Sequence, residues 1–179
     1  MKLRELLAGV PICAGSADLE MEISGVSYDS RTTRPGDLFV AMTGFATDGH
    51  QYIAKALANG AAAVLCQRRP AEACAYVQTE DSRRALAVIG GNWFGHPAEE
   101  MTMIAVTGTC GKTTTTYLLK AILEQARGAK VGLIGTNQNM IGQKVIPTDR
   151  TTPESFEVQK LFREMADAGC THVVMETSS

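Results

Sequence analysis

The sequence has no surplus of charge of one sign and no long apolar run. Seventeen Lys and Arg stand against nineteen Asp and Glu, a formal net charge of −2. The basic footprint of a protein whose main partner is nucleic acid is therefore missing. No stretch approaches the ~18 consecutive apolar residues of a membrane-spanning helix. The five cysteines, at 13, 66, 74, 110 and 170, form no CxxC pair and no Cys/His cluster at zinc spacing, and their number is odd. That argues against a disulfide framework or structural metal and fits a reducing compartment, the cytoplasm. Internal repeats and low-complexity segments are also lacking. Lys2 and Arg4 precede an apolar stretch as in a signal peptide, but Glu5 stands before that stretch and Pro11 interrupts it. Lys2 to Leu7 reads instead as a short amphipathic helix.

What is present is an ordinary globular composition, 45% hydrophobic and 20% charged over 179 residues. At roughly 150 residues per domain this is one domain or two small ones. From Ile23 to Gln78 the pattern is strand-rich. Ser24–Asp29 and Asp37–Met42 read as strands around the turn Thr33-Arg34-Pro35-Gly36, and Asp48-Gly49 is a second turn. His50–Asn59 carries apolar residues at helical spacing and stops at Gly60; Ala61–Cys66 and Ala75–Gln78 read as strands. Asp81-Ser82 caps a helix to Phe94, and Gly95-His96-Pro97 ends it, placing a domain boundary between 97 and 98. Beyond it strands and helices alternate: strand Thr102–Thr107, helix Lys112–Ala126, strand Lys130–Ile134, helix Glu154–Ala168, strand Thr171–Glu176. Such alternation predicts an α/β fold with a parallel sheet and helices on its faces. Residues 136–142 read as a loop, and the strand at 171–176 as an unfinished, exposed sheet edge inviting self-association.

The strongest motif is Met103-Ile104-Ala105-Val106-Thr107-Gly108-Thr109-Cys110-Gly111-Lys112-Thr113-Thr114. An apolar strand enters a glycine-containing loop, and Gly-Lys-Thr opens a helix. Glycines let backbone wrap a phosphate, while helix N-terminal amides and the dipole attract the anion. Lys112 supplies a mobile charge for outer phosphates, and the Thr113 hydroxyl suits Mg²⁺. Val106 stands where the first glycine of GxxxxGK[ST] belongs, so a chance Gly-Lys-Thr at a helix start is the alternative.

The variant Thr-Gly-Thr-x-Gly-Lys-Thr-Thr resembles the ATP loop of the Mur ligases, which build the peptide stem of bacterial cell-wall precursors. Tyr28-Asp29-Ser30-Arg31 followed by Pro35-Gly36-Asp37-Leu38-Phe39-Val40-Ala41 resembles the uridine-nucleotide domain of that family. Asp48-Gly49-His50, Gly135-Thr136-Asn137, Thr151-Thr152-Pro153-Glu154-Ser155 and Met175-Glu176-Thr177-Ser178-Ser179 follow in the family's order. The combination resembles the branch that adds the third stem residue, meso-diaminopimelate or L-lysine, to UDP-N-acetylmuramoyl-L-alanyl-D-glutamate.

That resemblance implies a small α/β uridine-nucleotide domain over 1–97 and the first part of a P-loop-type parallel-sheet ATPase domain over 98–179. It implies ATP and Mg²⁺ as cofactors, a UDP-N-acetylmuramoyl-dipeptide and an amino acid as substrates, and neither nucleic acid nor membrane as partner. The substrate's terminal carboxylate is phosphorylated by ATP, and an amine then attacks the acyl phosphate. Carried over by position, Gly108, Thr109, Cys110, Gly111, Lys112, Thr113 and Thr114 hold ATP. Lys112 and Glu176 are catalytic, and Thr113 and Glu176 bind the metal. Tyr28, Ser30 and Arg31 contact the uridine part, Phe45, Ala46 and Thr47 form a substrate-contacting loop, and Thr151, Thr152 and Ser178 hold the muramoyl-dipeptide part.

Other readings of these residues stay open. Ser30 and Arg31 before a Pro-Gly turn suit turn chemistry. Thr152 suits a helix cap ahead of Pro153, and Glu176 a solvated strand end. His50, His96 and His172 stand isolated and carry no catalytic assignment. Cys110 departs from the family's usual Asn, and its place at a helix N-terminus beside Lys112 favours the thiolate. Family members also continue past the Glu-x-Ser-Ser strand into a carbamylated lysine and an amino-acid-selecting domain, so the sequence is expected to represent an N-terminal part without turnover of its own. The competing classes are a small P-loop kinase, against which the lack of an arginine cluster after 128 speaks, and a non-catalytic nucleotide-binding module.

Overall fold

The computed structural model describes residues 1–44, 47–147 and 153–177. It forms two compact units, Met1–Trp93 and Phe94–Ser179. Both are α/β with mostly parallel sheets. Among the described residues no helix is long and apolar enough to cross a membrane.

The first unit contains the short helix α1 (Leu3–Leu6), whose Leu3 and Leu6 are buried. Its strands are β1 (Ala14–Gly15), β2 (Gly25–Ser27), β3 (Asp37–Val40), β4 (Ala63–Cys66) and β5 (Tyr76–Gln78). They form one sheet in the order β1-β5-β4-β3-β2, with β1 antiparallel to β5 and the rest parallel. Strands β3 and β4 are buried at every position, which is why Leu38-Phe39-Val40 and Ala63-Val64-Leu65-Cys66 read as apolar runs rather than alternations. Between them lie a 3₁₀ turn (Gly49–Tyr52) and helix α2 (Ile53–Ala58), whose Ile53 and Ala56 join Phe39, Ala41, Val64 and Cys66 in one core. Helix α3 (Ser82–Phe94) starts where Asp81 Oδ1 accepts from the N–H groups of Arg83 and Arg84, the predicted cap. Strand β1 has no counterpart in the sequence reading, because two residues carry no periodicity.

The second unit opens with a 3₁₀ turn (Pro97–Glu100) and contains β6 (Thr102–Val106), α4 (Lys112–Arg127), β7 (Val131–Ile134), β8 (Asn139–Ile141), β9 (Lys144–Ile146), α5 (Ser155–Asp167) and β10 (His172–Glu176). Its sheet order is β6-β10-β7-β8-β9, with β6, β10 and β7 parallel and β8 and β9 an antiparallel hairpin. Helix α5 covers one face through Phe162 and Met165, which share a core with Ile134, Ile141, Cys170 and Val173. A Cβ on Gly132 would run into the Met165 thioether, so glycine on β7 leaves room for that side chain of α5. Helix α4 packs along β7 and β10, where Val131, Leu133 and Val174 are fully buried.

Three sequence expectations are corrected. Residues 139–141, expected in a loop, are a strand, joined to β9 through Gly142-Gln143. The strand at 172–176 is not an edge: β10 is paired on both sides, and the sheet's edges are β6 and β9. Helix α5 is capped at Glu154, whose backbone is extended and whose N–H donates to the Glu157 carboxylate at 3.1 Å, rather than at Thr152.

Candidate functional site

At the carboxyl end of β6 the chain turns through 107–111 into α4. Gly111 at the helix N-cap has φ +78° and Gly108 has φ +145°, conformations in which a Cβ would be strained. The first-turn N–H groups of this sixteen-residue helix have no acceptor within the helix and carry the positive end of its dipole. Lys112 Nζ donates to Gly108 O at 2.6 Å, so the ammonium lies folded over the loop. The loop thus gathers the donors that an anionic polyphosphate requires. Thr109, Cys110 and Thr114 are exposed on it, and Cys110 carries a free thiol.

Beside the loop, β10 ends on Glu176, which is fully buried. Its solvated-end alternative is thereby removed. Glu176 Oε2 accepts from Thr113 Oγ1 at 3.2 Å and from Thr136 Oγ1 at 2.8 Å, and Oε1 accepts from the Thr136 N–H at 3.3 Å. Two neighbouring oxygen ligands of an octahedral magnesium stand about 2.9 Å apart, given ligand distances of about 2.05 Å. The 3.2 Å between Thr113 Oγ1 and Glu176 Oε2 fits that spacing, and the donors are the hard oxygens such a cation takes. Among the described residues no group of three or more His, Cys, Asp or Glu could cage a metal. Phosphate oxygens and water would complete the shell, as magnesium prefers. From Thr113 an open pocket of about 580 Å³ extends between Thr114, Tyr117 and Leu118 on α4 and Asn137 and Gln138 after β7.

In the first unit the predicted contact residues sit at the carboxyl end of the sheet, where open α/β sheets bind ligands. Tyr28 to Arg31 form a turn leaving β2: the Arg31 and Thr32 N–H groups donate to the Asp29 side chain and carbonyl. Ser30 is buried and its carbonyl accepts from Asn59 Nδ2 at 2.7 Å. The Arg31 guanidinium grips both Asp29 oxygens, holding that carboxyl down to about 2 through the Arg31 side-chain and backbone hydrogen bonds. Arg31 is therefore engaged with its neighbour rather than pointing free. Thr47 is exposed, and its carbonyl accepts from the Gly44 N–H. Phe45, Ala46, Thr151, Thr152 and Ser178 lie outside the described residues.

Side chains without a catalytic or binding assignment hold these loops. Gln67, just past β4, accepts on Oε1 from Thr43 Oγ1 at 2.9 Å and Ser82 Oγ at 3.1 Å, and donates from Nε2 to Glu80 O. Its N–H donates to His50 Nε2 at 2.9 Å, which fixes the proton on Nδ1, donated to Asp48 Oδ1 at 2.6 Å. Asp48 Oδ2 takes Arg68. His50 entered only as part of the Asp48-Gly49-His50 motif, with no role attached, and Gln67 carried no sequence signal.

Two family descriptions match this chain in tandem. "Mur ligase family, catalytic domain" matches residues 22–101 and "Mur ligase middle domain" residues 106–179. Over its whole length the chain is 49% identical to a UDP-N-acetylmuramoyl-L-alanyl-D-glutamate–2,6-diaminopimelate ligase of Caldanaerobacter subterraneus, covering 37% of that protein. The chain belongs to the Mur ligase family. The ligase of the same name from Clostridium botulinum is 48% identical over 163 residues, 88% of this chain and 34% of the relative. A solved structure of a ligase with that name superposes at a TM-score of 0.80 with 26% identity, covering 99% of this chain and 36% of its own. A MurF ligase from Thermotoga maritima in complex with ADP gives 0.58 at 27% identity over 86% of this chain and 31% of its own. This Mur ligase chain thus spans about a third of the length of the curated relatives it matches. The middle-domain match contains the phosphate loop and Glu176, and the catalytic-domain match contains the β2 turn and the Asp48–His50–Gln67 network.

Proposed function

We propose that the chain carries the uridine-nucleotide domain, 1–97, and the ATP-loop part of the central domain, 98–179, of a ligase that adds diaminopimelate to UDP-N-acetylmuramoyl-L-alanyl-D-glutamate in the bacterial cytoplasm. The observation that carries the reading is the phosphate loop facing Glu176 across the Thr113 hydroxyl, in a chain similar over its whole length to ligases of that name. Lys112 leaves the Gly108 carbonyl for the outer phosphates of ATP, and the amides of the first turn of α4 hold the others. Thr113 and Glu176 hold magnesium, which neutralises charge gathering on the phosphates when bound. The substrate's terminal carboxylate takes the γ-phosphoryl group, giving an acyl phosphate and ADP. The incoming amine then attacks that carbonyl carbon and phosphate leaves. Tyr28, Ser30 and Arg31, with the 45–47 loop, take the uridine end of the substrate, and Thr151, Thr152 and Ser178 its peptide end.

The test is calorimetric titration with Mg-ATP. The wild-type chain should bind, and Lys112→Ala should weaken binding by at least tenfold, since a charge-assisted contact to phosphate contributes about 1.5–3 kcal/mol. Equal affinities would refute the assignment of Lys112.

A further inference from the structure

We infer that Thr136 is a positioning residue that aims the Glu176 carboxylate at the metal. The inference rests on the reading of Glu176 and Thr113 as magnesium ligands. Glu176 ends β10 fully buried, and among the described residues Thr113 is one of three donors on its carboxylate. The other two both come from Thr136, its hydroxyl at 2.8 Å from Oε2 and its N–H at 3.3 Å from Oε1. The two bonds reach different oxygens, so together they fix the rotation of the carboxylate plane as well as its position. Oε2 is thereby left facing Thr113 Oγ1. Thr136 is itself solvent-facing, and so contributes little by burial.

Gly135 serves the same carboxylate from another side. A Cβ there would fall 2.5 Å from Glu176 Oε1, a contact real Cβ atoms do not make. The end of Glu176 is the part that would yield, so an added methyl should turn the carboxylate while the strand stays in place. Gly135-Thr136 therefore works as a pair: the glycine leaves room for the carboxylate and the threonine fills its hydrogen-bonding capacity. A ligating carboxylate held by such partners binds its metal about 10–100-fold better than one without them. The Thr113 hydroxyl donates to Glu176 and keeps the two oxygens near coordinating distance. These two oxygens would hold a cation at the loss of only that one hydrogen bond.

The readout is the ratio of non-hydrolysable ATP-analogue affinities measured by calorimetry with magnesium and with EDTA. Thr136→Val keeps the shape and removes the hydroxyl, and should cut that ratio by about tenfold with the EDTA affinity unchanged. Thr136→Ser should restore it, and Gly135→Ala should lower it without deleting any donor. Thr136→Val retaining the wild-type ratio, or Thr136→Ser losing as much as Thr136→Val, would overturn the proposal. An equal loss with EDTA would do so too, since it would mark general damage to the loop. Glu176→Gln separates the levels: if it removes the magnesium advantage and Thr136→Val does not, only the positioning role fails. If Glu176→Gln leaves the advantage intact, the ligand reading fails and the proposal with it.

Discussion

Cys110 sits in the phosphate loop, between Thr109 and Gly111, and its thiol is exposed. Among the five free thiols only Cys13 is as accessible; Cys74 is half-buried, and Cys66 and Cys170 are buried. Burial pushes the Cys66 thiol up to about 11 and raises that of Cys170, so neither supplies much thiolate near neutrality. Alkylation followed by peptide mass spectrometry should therefore modify Cys13 and Cys110 first and Cys66 and Cys170 last. A nucleotide on the loop covers Cys110 and leaves Cys13 untouched, so Mg-ATP should slow labelling at Cys110 alone. Unchanged Cys110 labelling with Mg-ATP would place the nucleotide elsewhere. A thiol also lacks the donor and acceptor pair of the family's usual Asn amide.

At the level of elements, the loops leaving β3 and β4 are held by polar side chains rather than by apolar packing. Asp48 is their acidic anchor. The His50 N–H, then the His50 ring and the Arg68 guanidinium, hold its carboxyl at about 2, below its ordinary 3.8. A carboxyl lowered in the folded state stabilises the fold above its unfolded value and loses that contribution as acid protonates it, here between pH about 4 and 2. Asp48→Asn should therefore lower Tm at neutral pH and make the fall between pH 4 and 2 shallower. Its side chain is about a third exposed, and after solvent screening the loss is about 1 kcal/mol, roughly 4–8 °C for a unit of this size. A variant that tracks the wild type through the acid range would show that Asp48 does not anchor the loops.

The same elements show what sequence can carry. The phosphate loop was legible because it is local, a strand, a glycine turn and a helix start within 102–114, whereas Glu176 was marked out only by the family resemblance. The helix at Ser82 was legible from the Asp81 cap. The β8–β9 hairpin was not, since its strands are three residues long and Gly142-Gln143 lacks the Asn-Gly or Asp-Gly signature of two-residue turns. The position of β10 between β6 and β7 was not either, because pairing order is non-local: a strand last in the chain lies at neither edge. Gln67 and Thr136 escaped for a third reason. Each acts through partners 13 to 40 residues away, and neither residue type announces that role.

On the scale of the whole molecule, each unit presents its candidate residues at the carboxyl end of its own sheet. The β2 turn and the Gln67 network do so in the first, the phosphate loop, Thr136 and Glu176 in the second. Each unit corresponds to one of the two family descriptions, and together they span about a third of the relatives' length. Binding and turnover are separable on this division. On the proposed assignment the nucleotide contacts come from side chains and amides within 107–176, so the 179-residue chain should bind Mg-ATP. Amide formation also requires a held amine, and no residue of this chain has been assigned to one. With ATP, UDP-N-acetylmuramoyl-L-alanyl-D-glutamate and diaminopimelate, the chain should release no phosphate above the rate without enzyme. A ligase of the relatives' full length should release one phosphate per amide formed under the same conditions. Phosphate release by the 179-residue chain that depends on diaminopimelate would show that the amine site lies within these two units.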